Sequence, residues 1–102
     1  MRLSDKAKLV VGRNESENER LNSLTTANDY IFMPQADVAG PICLGRGEFD
    51  DELIKVSCQI TAHYCDLDKN SPADVIYRDL KRQEKTLKVS PIQETELRRL
   101  RI

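Results

Sequence analysis

The chain has 102 residues, 39% hydrophobic and 32% charged, with a net charge of −1. That length and balance fit one soluble globular domain with a modest core that needs no disulfide or metal. They exclude a membrane span, which takes ~20 consecutive apolar residues, and they exclude a global basic field, so any nucleic-acid contact must come from a local patch.

Residues 2–7 lead straight into a strand at 8–11, Lys-Leu-Val-Val, and no basic-then-apolar leader comes first. This abrupt start predicts a domain excised from a longer chain. Gly12 turns the chain and Asn14 caps a helix over 14–24, with Glu17 completing a variant of the capping box. The helix has a thin apolar face, Leu21 and Leu24. A strand followed by glycine and a helix start can bind a phosphate, but Glu15, Glu17 and Glu19 already occupy the positive end of the dipole. We read the stretch as a structural joint.

Residues 30–33, Tyr-Ile-Phe-Met, are a continuous apolar run ending at Pro34, the pattern of a central strand. A strand at 41–44 is closed by Gly45-Arg46-Gly47. Residues 50–65 give the strongest helix, with Leu53, Val56, Ile60, Tyr64 and Leu67 on one face and Ile54, Cys58 and Cys65 on a second. Between 72 and 80, Ala73, Val75 and Tyr77 alternate with Asp74, Ile76 and Arg78. Residues 81–84 turn the chain and 86–89 return as a strand, Leu87 and Val89 inward. Ser90 as N-cap and Pro91 at the first helical position open a last short helix. The order β-α-β-β-α-β-β-α predicts a single α+β domain, a mostly antiparallel sheet of about five strands with three helices. It leaves strand order open.

Three cysteines, Cys43, Cys58 and Cys65, form no CxxC pair, which suits reduced thiols in a cytoplasmic protein. With one histidine, His63, they offer no zinc spacing, so no metal is expected. His63 has no nucleophile placed for it and reads as structural. The basic hairpin carries more signal. Arg78, Lys81, Arg82, Lys85 and Lys88 stand against Asp79 and Glu84, a local excess of +3. A lysine-rich tip blocks edge pairing, and it can equally contact a phosphate backbone.

The assembled pattern resembles the RNA-binding domain of the NFACT family. The resemblance runs through KLVVGRNESENERL, NDYIFMPQADVAGPICL, the helix ending AHYC and the strand ADVIYRDL, covering about residues 8–90. Gly12-Arg13-Asn14 with Asn18 matches the family's opening motif. Met33 stands where the family tends to carry histidine, and Ala39-Gly40-Pro41 replaces its Gly-Ser-His turn. The sequence looks more like the divergent branch at the C-terminus of tRNA thiolation proteins of the thiouridine synthase kind. That resemblance implies a non-catalytic domain that presents tRNA or another structured RNA to a PP-loop (ATP-pyrophosphatase) domain in the same protein. ATP and Mg would bind only in that upstream domain, and no cofactor is expected in this one.

The RNA contacts expected are Arg13, Arg46, Arg78, Lys81, Arg82, Lys85 and Lys88. Two alternatives stand beside this reading. The stripe Ile54, Cys58 and Cys65 could dock on the parent enzyme or a second copy as a homodimer. Cys43, which points opposite to Ile42 and Leu44, could relay sulfur.

Overall fold

The computed structural model describes residues 2–12, 16, 19–20, 29–34, 40–65, 72–81 and 83–100. Among these lie six strands and two helices: β1 (Arg2–Ser4), β2 (Ala7–Val11), β3 (Asp29–Pro34), β4 (Cys43–Gly47), α1 (Asp51–Tyr64), β5 (Ala73–Arg78), β6 (Glu84–Val89) and α2 (Glu94–Leu100). The predicted helix over 14–24, with Asn14 and Asn18, lies outside the described residues, apart from Ser16, Glu19 and Arg20, which are helical.

All six strands join one sheet in the order β1-β2-β4-β3-β5-β6, and every pairing is antiparallel. The apolar run ending at Pro34 is a central strand, as its sequence predicts. The sixth strand is β1, which the sequence reading leaves out. It has three residues, too few to show alternation, and it turns back on β2 through a short bend in which the Ser4 hydroxyl accepts from the Lys6 N–H at 3.2 Å.

The register divides the sheet into two faces. On one face Leu9, Phe32, Cys43, Val75 and Val89 share a core with Cys58, Ile60 and Ala62 of α1 and Leu97 of α2. The side chains of Lys8, Val10, Asp29, Ile31, Leu44, Arg46, Ile76, Arg78 and Lys88 alternate to the other, outer face.

Helix α1 starts where its sequence predicts. Asp50 is the N-cap, its Oδ1 accepting from the Leu53 N–H at 2.8 Å. The buried side differs from the predicted stripe. Ser57, Cys58, Ile60, Thr61, Ala62, His63 and Cys65 are buried, whereas Leu53 and Val56 are only half-buried and Tyr64 is exposed. Small polar residues reach the core because they bond back along the helix. The Ser57 hydroxyl donates to the Leu53 carbonyl at 2.8 Å, Thr61 to Ser57 at 2.9 Å, and the Cys65 thiol to Thr61 at 3.1 Å.

The last helix begins at Glu94 and not at Pro91. The intervening strap makes tertiary bonds in place of a first helical turn. The Ile92 N–H donates to the Gln59 carbonyl at 3.1 Å, and its own carbonyl lies 3.1 Å from His63 Nδ1. Pro91 and Ile92 are buried against α1 as a result.

Gly47 closes β4 with φ +117°, and a Cβ there would run into the Lys6 carbonyl, which already accepts from the Glu48 N–H at 2.8 Å. We expect Gly47→Ala to cost about 1–3 kcal/mol of stability in urea unfolding, with the midpoint moved and the slope unchanged.

Candidate nucleic-acid interface

The basic hairpin is the β5–β6 turn. Asp79 organises it: its Oδ1 accepts from the backbone N–H groups of Lys81 and Gln83, each at 2.9 Å, and its own N–H donates to the Gln83 carbonyl at 3.1 Å. The Gln83 N–H, followed by Lys81 and the Lys85 ammonium, holds the Asp79 carboxyl below the usual carboxylate range.

The hairpin's two acids are each committed to one base. Arg78 Nη2 donates to Glu84 Oε1 at 2.9 Å, and Lys85 Nζ lies 3.6 Å from Asp79 Oδ2. The sequence count of +3 therefore rests on Lys81, Arg82 and Lys88. Lys81 and Lys88 are exposed and have no ion-pair partner among the described residues; Lys88 sits opposite Asp74 in register. Arg82 lies outside the described residues, and so does Arg13. Lys85 falls on the core face of the sheet, beyond Tyr77, while Arg78 and Lys88 fall on the outer face.

Arg46 stands apart, on β4 across the sheet. Its Nε and Nη2 donate to Asp29 Oδ1 and Oδ2 at 3.0 and 3.1 Å. The Asp29 side chain is 1% exposed and that of Arg46 is 61% exposed. The guanidinium thus covers a buried carboxylate while still meeting solvent, and the bond to Asp29 raises its pKa further. Removing Arg46 would strand a buried charge, which is typically costly. Its first duty is structural.

The aromatic residues do not form an open stacking platform. Tyr30, Phe32, Phe49 and Tyr77 cluster on the core face with centroid separations of 5.0–6.3 Å. Tyr64 is more exposed and meets His63 edge-on at 5.0 Å. His63 itself is buried, held between the Ile92 carbonyl and Glu94 Oε2, the latter 3.3 Å from Nε2. It fastens α2 to α1, in keeping with the structural role the sequence suggests.

The stripe read as a docking face is used inside the monomer. Cys58 and Cys65 are buried and Ile54 packs against the core. Cys43 is fully buried too, and desolvation pushes its thiol up to about 12, with the Thr61 hydroxyl pulling partly the other way. Burial likewise takes Cys58 to about 12 and Cys65 to about 11. A relay thiol needs access and a stabilised thiolate, and Cys43 has neither in this fold. No group of three or more His, Cys, Asp or Glu among the described residues is placed to hold a metal ion.

These features can be set beside known proteins. The profile described as the NFACT protein RNA binding domain matches residues 1–101. The chain belongs to that family of RNA-binding domains. The C-terminal part of the fibronectin/fibrinogen-binding protein from Streptococcus suis has the same fold, with a TM-score of 0.83 at 18% identity. The match covers 100% of this chain and 48% of that one, so the chain spans about half the length of its solved relative. No curated protein matches the chain in sequence. No helix among the described residues is long and apolar enough to cross a membrane.

The thiols set a pH dependence. Each has a folded pKa raised above the ordinary thiol value of 9.0, so between about 9 and 12 the unfolded state releases protons that the folded state retains. Stability is fully present below about 9 and falls as pH rises through that window. Cys43→Ala should flatten the fall in pH-dependent urea unfolding. At neutral pH, Cys43 should resist alkylation in the folded protein and react readily once the chain is unfolded.

Proposed function

We propose that this domain holds structured RNA, with tRNA as the first candidate, by its phosphate backbone at the β5–β6 hairpin. It does so without chemistry or cofactors of its own. The observation that carries this reading is the pairing at the hairpin. Asp79 and Glu84 neutralise Lys85 and Arg78, and Lys81 and Lys88 are left uncommitted and exposed on a chain of net charge −1.

Phe32 lies in the core and Tyr30, Phe49 and Tyr77 pack half-buried against it, an arrangement that supports a duplex-like target. Single-strand binders stack bases on exposed aromatic rings, whereas helical RNA is gripped through its phosphates and shape. Arg82 at the hairpin tip and Arg13 after β2 would add to the contact. Lys85 and Arg78 act mainly on the hairpin's own geometry.

The resemblance to the branch found in tRNA thiolation proteins supports a finer reading. The domain presents tRNA, in the cytoplasm, to a PP-loop domain of the same protein that uses ATP and Mg to activate a base for sulfur attack. A PP-loop motif directly upstream of Met1 in the native gene would bear this out, and its absence would overturn it.

The binding reading is tested by titrating tRNA with the protein at several salt concentrations. Lys81→Gln with Lys88→Gln should weaken binding and lower the log–log salt slope by about two. Wild-type protein that fails to bind at low salt, or a double variant with unchanged affinity and slope, would refute it.

A further inference from the structure

Lys8 and Arg46 are direct cross-strand partners on β2 and β4, and both side chains reach the outer face. Directly opposed residues on antiparallel strands have Cβ atoms ~4.5–5.5 Å apart, and two like charges there destabilise the pair. Asp29 relieves only part of this, because both of its oxygens are engaged by Arg46. Lys8 is exposed and has no ion-pair partner among the described residues. Arg46 commits Nε and Nη2 to Asp29, which fixes its plane and leaves further guanidinium donors for a ligand. Val10, next on the same face of β2, is 45% exposed, so the ground beside the two cations is open on the β2 side, whereas Leu44 and Ile31 farther into the same face are buried.

The core does not explain Lys8. Its neighbours Ala7 and Leu9 point to the opposite face and are buried, so a neutral or acidic residue at position 8 would fit the fold equally well. An acidic residue would fit the free protein better, since it would pair with Arg46 across the strands.

We propose that Lys8 and Arg46 form a second RNA contact, clamping a backbone phosphate between an ammonium and a pre-oriented guanidinium. This rests on the RNA-binding reading above and extends it to the opposite flank of the sheet. β2 and β6 are four strand spacings apart, roughly 19 Å. The clamp and Lys88 therefore engage separate phosphates at opposite flanks of the sheet, on either side of the buried centre formed by Ile31 and Leu44.

Lys8→Glu separates this role from a merely solvated surface. Melting without RNA should show an unchanged or higher midpoint, because a like-charge pair becomes an ion pair. Affinity for tRNA should fall about fivefold or more. Lys8→Gln, which removes only the charge, should lower the log–log salt slope by about one. It also keeps the test decisive if Lys8→Glu disturbs the fold. Wild-type binding with Lys8→Gln unchanged in both affinity and slope would overturn the clamp and leave the hairpin reading intact. Wild-type protein that does not bind tRNA at low salt would overturn both.

Discussion

The fold depends on burying the C-terminal half of α1 against one face of the sheet. Ile60, Cys58 and Ala62 enter a core with Phe32, Cys43 and Val75, and the polar groups on the same stretch must be satisfied without water. The helix manages this internally, through the Ser57-to-Leu53, Thr61-to-Ser57 and Cys65-to-Thr61 bonds. An unsatisfied hydroxyl at such a place would cost roughly 1–3 kcal/mol. Three thiols then serve as small apolar fillers, and their raised pKa values follow from that burial.

Committing one face to α1 determines what the other can do. The aromatics go into the core face, Gly45 lying under Phe32 and Phe49, so the outer face is left with aliphatics and charges. Antiparallel pairing sets those charges in opposed positions: Lys8 beside Arg46, Lys88 beside Asp74, Arg78 beside Glu84. Where an opposed acid closes on its base, as Glu84 does on Arg78, the cation is tied to the fold. Lys88 opposite Asp74 and Lys8 opposite Arg46 form no such ion pair among the described residues, and their charge is left over. The distribution of uncommitted charge is therefore a product of register, which is why it bears on binding more directly than a count of lysines.

Much of this was legible in the sequence, and the reasons differ by element. The strand ending at Pro34 shows as an unbroken apolar run because both of its faces are covered, Phe32 being buried on one and Ile31 on the other. Asp50 announces the start of α1 because capping is local chemistry. β1 was not legible, since three residues carry no period and its existence depends on pairing with β2. Nor was the buried side of α1, because the apolar residues Leu53 and Val56 predict one face while back-bonded Ser57 and Thr61 make another buriable. The start of α2 at Glu94 is hidden for a related reason. Ser90 and Pro91 are strong local signals, but bonds from Ile92 to Gln59 and His63 override them.

The candidate site shows the same division between local and tertiary information. The basic character of residues 78–88 is plain in the sequence, but the identity of the free cations is not. Arg78 and Lys88 look equivalent until the register sets Glu84 opposite one and Asp74 opposite the other, and only Glu84 closes on its base with a 2.9 Å contact. Arg46 looked like one more phosphate ligand and proves to hold a buried carboxylate. Lys8 carried no signal at all, since a lone lysine beside an apolar run reads as the wet side of a strand. Its significance comes from lying opposite Arg46 on the neighbouring strand, a pairing that chain order hides because 38 positions separate the two residues. In an antiparallel sheet a pair of like charges on one face is thus assembled from residues that no sequence window contains together.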